Sequence, residues 1–87
     1  MTTEQELRTL VISVLTEVAP DIDAATVDPG ADFLEQFDID SMDFLNIIVA
    51  INERTGIEIP ERDYPKLSTL NDAISYLAEA QKQAAGA

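Results

Sequence analysis

The sequence predicts an all-α fold, a small bundle of three main helices with a long first loop and a short extra helix. Three observations lead there. Apolar residues recur at helical intervals in three stretches; residues suited to capping a helix stand before each stretch; and no segment reads convincingly as a strand. The 87 residues suit one domain spanning 1–87. Either half would be too small to hold a core without disulfides or metal, and the chain has no cysteine. Acidic chains are often disordered, but here 46% of residues are hydrophobic and they are periodically placed, which excludes disorder.

The first helix is expected over about residues 3–19. Thr3 and Glu6 have capping-box spacing, which satisfies two backbone donors reciprocally. Leu7, Leu10, Val11, Val14, Leu15 and Val18 then form one apolar face, with Arg8, Thr9, Ser13 and Glu17 largely opposite. Pro20 ends the helix, because the residue before a proline disfavours helical geometry. From Pro20 to Asp40 the periodicity stops, and Pro20, Pro29 and Gly30 punctuate the segment. A loop of this length in a compact domain is often functional. Ile22, Val27, Phe33, Leu34, Phe37 and Ile39 should tie it to the bundle, with a helical turn over Phe33 to Phe37.

The second main helix is expected over 41–55. Asp40 is its N-cap, Asp43 complements the positive helix end, and Gly56 accepts the left-handed conformation that closes it. Ile57 to Pro60 reads as extended. A short helix follows over 61–64, limited by Pro65, and the last helix over 68–82, where Thr69 and Asp72 repeat the capping spacing. Leu70, Ala73, Ile74 and Leu77 supply its buried stripe, and Gln83 to Ala87 should fray.

Seventeen acidic residues against five basic ones leave a net charge of −12. Such a surface repels phosphate backbones and anionic lipid, so neither nucleic acid nor a membrane is an expected partner. It attracts proteins with basic patches in a salt-dependent way. The same self-repulsion weakens the compact state. Moderate salt or divalent cations should therefore raise the melting temperature, and a flat or falling response would contradict that. The chain also lacks histidine, the usual general base. The first residues show no basic stretch followed by an apolar one, and the apolar region Phe44 to Ile51 is too short to span a bilayer. A soluble, cytoplasmic monomer is expected.

The second main helix carries the most information. Phe44, Ile47, Ile48 and Ile51 gather on one side as a core face, and Asp43, Asn46, Glu53 and Arg54 make a polar side. Yet Met42, Leu45 and Val49 form a second apolar stripe beside Ser41 and Asn52. Either the helix is buried on two sides, or that stripe is a protein-docking surface. Ser41 follows an N-cap aspartate, and most serines there do nothing chemical. With no histidine present, a Ser-His-Asp nucleophile is impossible within this chain. If Ser41 reacts, another protein activates it.

The run from Phe33 to Phe44, FLEQFDIDSMDF, resembles the signature of acyl carrier proteins. In that family an Asp-Ser-Leu motif opens the second helix, and Asp40-Ser41-Met42 matches with methionine for leucine, a swap that keeps size and apolar character. Gly56 to Pro60 and Lys66 to Leu70 are also similar to the family pattern, so the resemblance runs from about Glu4 to Ala80. It implies that Ser41 carries 4′-phosphopantetheine, attached from coenzyme A by a separate magnesium-dependent phosphopantetheinyl transferase. It further implies that Asp40 supports the serine and meets the transferase's metal. Met42, Leu45, Val49 and Glu53 would line the docking surface. Cargo would travel as a thioester on the arm, loaded and consumed by separate acyl-loading, synthase or acyltransferase enzymes, the carrier itself not being an enzyme.

The match loosens at three positions. Carriers in bulk fatty-acid synthesis usually have a strongly acidic second helix, whereas Asn46, Asn52 and Arg54 stand here. That favours a specialised fatty-acid, polyketide or related pathway. Phe33, Phe37, Phe44 and Tyr64 either fill the space between helices or line it. Three alternatives stand beside this reading: a carrier of amino acids, a helical interaction module that is never modified, and a calcium binder. The aspartates at 21, 23 and 28, or 38, 40 and 43, suggest the last, but neither set has EF-hand spacing.

Overall fold

In the computed structural model, which describes residues 3–86, helix α1 (Glu4–Val18) opens with the expected capping box. The Glu6 amide donates to Thr3 Oγ1 at 3.2 Å and the Thr3 amide to Glu6 Oε1 at 3.4 Å. Ala19, just before Pro20, leaves the helix at φ −131° and ψ 86°, as pre-proline sterics demand.

The long loop is strapped down. A 3-10 turn (Ala24–Thr26) is capped by Asp23, and α2 (Phe33–Phe37) by Asp32. The Gln36 carboxamide staples the segment from within: its oxygen accepts from the Asp28 amide, and its nitrogen donates to the carbonyls of Asp28 and Ala31, all at 2.9 Å. Two backbone bonds then tie the loop to the far end of the chain, from the Phe33 amide to the Ser68 carbonyl at 2.8 Å and from the Asn71 amide to the Pro29 carbonyl at 3.0 Å. Phe33 is fully buried and stacks on Phe37, ring centroids 6.2 Å apart.

Helix α3 (Ser41–Thr55) has the predicted bounds and ends at Gly56 with φ 71°. Asn52 donates from Nδ2 to the Ile57 carbonyl at 2.6 Å, fixing the chain as it leaves the helix. The next element differs from expectation: Pro65 does not limit it. A 3-10 segment runs over Glu61–Leu67 with Pro65 inside. The clash of a proline ring with the carbonyl four residues back belongs to α-helical geometry, so a 3-10 run tolerates it better. Helix α4 (Leu70–Gly86) starts two residues later than expected because Thr69 lies outside as its cap, accepting from the Asp72 amide at 3.0 Å. At the other end the helix runs through Gly86, beyond the expected bound of 82, since good helix formers fill the stretch before that glycine. Ala87 lies outside the described residues.

Helix α1 packs on α3 and α4. Leu7, Val11, Val14 and Leu15 meet Ile47, Ile48 and Ile51 of α3 and Leu70, Ala73 and Leu77 of α4 in one core, joined by Ile22, Val27, Phe33, Ile59 and Leu67 from the connections. Leu10, Val18 and Ile74, expected on buried faces, are half-buried against it. Among the described residues there is no strand, and no helix is long and apolar enough to cross a membrane.

Candidate functional site

Helix α2 closes on Asp38, which adopts the left-handed conformation at φ 53°. Aspartate tolerates this better than most residues because its short polar side chain bonds locally. Asp40 is then extended, at φ −93° and ψ 177°, and its Oδ1 accepts from the Asp43 amide at 3.0 Å. The cap thus occupies Asp40, and Ser41, first residue of α3, stands exposed. Helix N-termini favour anions through their unpaired N–H groups and dipole. The carboxylates of Asp38, Asp40 and Asp43 oppose this with like charge.

The second apolar stripe of α3 is not buried: Met42 is 66% exposed, Leu45 39% and Val49 46%. The possibility of a helix covered on two sides is therefore corrected. The core closes with α1 on one face of α3 and leaves the other open. Glu53 is exposed and continues the face, four residues beyond Val49. Arg54, on the polar side, points away from this surface. It pairs with Glu17 of α1 and donates to Ser13 Oγ at 3.2 Å, so its charge joins two helices.

Beside Ser41 runs an open groove of about 530 Å³. Ser41, Met42, Phe44 and Leu45 form one wall and Glu61, Tyr64 and Pro65 the other, with Asp32 and Leu34 of the loop and α2 at one end. Its surface is mostly apolar. Of the four aromatics weighed as fillers or liners, Phe33 is a filler, while Phe44 and Tyr64 are half-buried and line the groove. Phe37 borders a separate depression with Asp21, Asp23 and Asp28. No group of three residues that could hold a metal ion occurs among the described residues. Asp32, Glu61 and Pro65 carry no local sequence signal for this role, because the groove joins segments distant along the chain.

Behind the second wall, Tyr76 of α4 donates its hydroxyl to Asp63 Oδ2 at 2.7 Å, and Lys66 Nζ lies 3.2 Å from Asp63 Oδ1. The Tyr76 hydrogen bond, more than the neighbouring Lys66 and against some desolvation, holds the Asp63 carboxyl below its ordinary 3.8. Burial first, and then Asp63, push the Tyr76 phenol up to about 12. A depressed carboxyl contributes stability that is present above its unfolded value and is lost as pH falls through the folded one. A raised phenol contributes stability that is full below its unfolded value of 10.0 and lost on the way to 12. Tyr76→Phe should move the Asp63 carboxyl back toward its ordinary range in a ¹³C NMR titration; an unmoved titration would discard this account.

Comparison with known proteins bears on what the site is for. A family model for the phosphopantetheine attachment site matches residues 5–77. The acyl carrier protein of Acidothermus cellulolyticus is 32% identical over 77 residues, covering 88% of this chain and 90% of that one. This chain belongs to the acyl carrier protein family. The acyl carrier protein of Helicobacter hepaticus is 32% identical over 82 residues, covering 94% of this chain and all of that one, and that of Rubrobacter xylanophilus 31% over 74. An acyl carrier protein is a carrier and not an enzyme, its prosthetic group is covalently attached 4′-phosphopantetheine, and it works with synthases, transferases and other acyl-handling enzymes.

Proposed function

We propose that Ser41 is the phosphopantetheine attachment residue of a single monomeric cytoplasmic carrier domain, and that this carrier serves a specialised fatty-acid, polyketide or related pathway. The observation that carries the reading is the exposed Ser41 at the start of α3, with the capping bond made by its neighbour Asp40. The surroundings suit the group. A phosphodiester at Ser41 would meet the positive end of a 15-residue helix, while three nearby carboxylates discourage it from folding back. When attached, the group supplies a flexible arm ending in a thiol that holds acyl cargo as a thioester. The chain's own residues do the rest. Asp40 keeps Ser41 at the helix mouth, and the groove offers a mostly apolar surface beside it.

Incubation of the unmodified chain with a broad-range transferase, coenzyme A and magnesium should add one phosphopantetheinyl group by intact mass. No gain with a transferase that modifies another carrier in the same tube would overturn the reading and favour an unmodified interaction module.

Docking in this reading runs through Met42, Leu45 and Val49 more than through charge. Asn46 and Asn52 are neutral, and Arg54 is engaged with α1. Leu45→Ala should weaken binding to the transferase by on the order of ten-fold, as for an apolar residue near the centre of an interface. Glu53→Gln should mainly alter the association rate and its salt dependence. If neutralising Glu53 costs more affinity than truncating Leu45, docking is electrostatic instead.

A further inference from the structure

We propose that Tyr76 and Asp63 form a clasp that sets the width of the groove beside Ser41; the functional half of this inference rests on Ser41 being the attachment residue. The two walls of the groove are held very differently. The α3 wall belongs to a helix whose other face is locked into the core by Ile47, Ile48 and Ile51. The opposite wall is the 3-10 segment Glu61–Leu67, seven residues long where such runs usually stop at three or four. Pro60 gives it no side-chain cap, and Pro65 has no amide to donate. It is anchored at its ends, by Ile59 just before it and by Leu67, and no residue between them is buried.

In the middle Tyr64 is only half-buried against the core, and the side-chain hydrogen bond that ties this stretch to another element is made by Asp63. The segment packs on α4, and the Tyr76 hydroxyl reaches across from that helix to Asp63 Oδ2 at 2.7 Å. Lys66 cannot do the same work, because it lies on the same segment, three residues from Asp63. In a 3-10 run residues three apart share a side. Asp63 and Lys66 thus share one row, and neither lines the groove, which Glu61, Tyr64 and Pro65 border. A shift of Asp63 along α4 carries Tyr64 and Pro65 with it, toward or away from Met42 and Leu45. Tyr76 and Asp63 are therefore positioning residues: neither lines the groove, and they act through the wall they hold.

The test uses the full-length unmodified chain, with Tyr76→Phe, Asp63→Ala and Asp63→Asn variants. Amide hydrogen exchange and methyl NMR spectra are recorded on each. In Tyr76→Phe and Asp63→Ala, exchange over 61–67 should rise roughly ten-fold, as for loss of a hydrogen bond to a charged group. The methyl resonances of Leu34 and Leu45, on the groove, should move while those of Val11, in the core, stay. Asp63→Asn should fall between the parent and the alanine variant, since its carboxamide oxygen still accepts from the tyrosine but carries no charge. The clasp is refuted if exchange over 61–67 rises no more than it does in α1, if the groove methyls stay put, or if the asparagine variant behaves like the alanine one. All these readouts precede any modification, so a failed transferase experiment would remove the groove's role in carriage without altering the clasp result.

Discussion

Ser41→Ala should stay folded and gain no phosphopantetheinyl mass at all under conditions that convert the parent chain completely. The two halves of this result come from different atoms. The fold is indifferent to the serine hydroxyl because Asp40 makes the cap of α3, through its 3.0 Å bond from the Asp43 amide, and Ser41 is exposed. Alanine is also the best helix former. The melting temperature should therefore change by no more than the equivalent of ~0.5 kcal/mol, as for a surface substitution away from special features. Chemistry, by contrast, loses its only acceptor oxygen at that position. Asp40→Ala makes the opposite separation: it removes the cap and should cost about 1 kcal/mol of stability, yet leaves the hydroxyl in place and so slows modification without abolishing it. A mass gain surviving in Ser41→Ala would move attachment to another hydroxyl and dissolve the reading of α3.

Much of this was legible in the sequence where the governing interaction is local. The capping pairs Thr3 with Glu6, Asp40 with Asp43 and Thr69 with Asp72 each span three residues, and all three make the expected bond. The bounds of α3 followed from one of those pairs and from Gly56. Interactions between distant segments left no such trace. Nothing near Tyr76 announces Asp63, thirteen residues away, and nothing near Arg54 announces Glu17, thirty-seven away. Arg54 therefore reads in the sequence as part of the surface charge of α3, when it is engaged with α1. Asn52 similarly looked like a missing acid, although only a residue with a donor can bond the Ile57 carbonyl as it does. The second stripe of α3 shows the same limit. Periodicity reveals that Met42, Leu45 and Val49 share a face, but whether another helix covers that face is a property of the packing, which leaves it open.

Phe33→Ala should be among the most damaging single substitutions in the chain. Phe33 heads the largest fully buried side chains, and truncating a buried phenylalanine costs roughly 3–5 kcal/mol, because the cavity left behind closes only in part. A domain of this size has about 4–13 kcal/mol of stability in total, and each kcal/mol moves its melting temperature by roughly 4–8 °C. A fall on the order of 20 °C follows, measurable by circular dichroism. Phe37→Ala makes the control. Its ring is the other half of the same stack but is half-buried, so its truncation leaves less cavity and should cost clearly less. The damage from Phe33→Ala should also spread along the chain in a defined order. The Phe33 amide bonds the Ser68 carbonyl, and the Asn71 amide bonds the Pro29 carbonyl, so the ring and these two bonds together hold the long loop against the start of α4. Amide exchange should therefore quicken first over 29–37 and at Asn71, ahead of α1. The long loop is then a structural member of the bundle, whose α2 carries the chain into Asp38 and the mouth of α3. A drop below about 5 °C, near the effect of losing ~1 kcal/mol, would mean that the loop rides on a core complete without it.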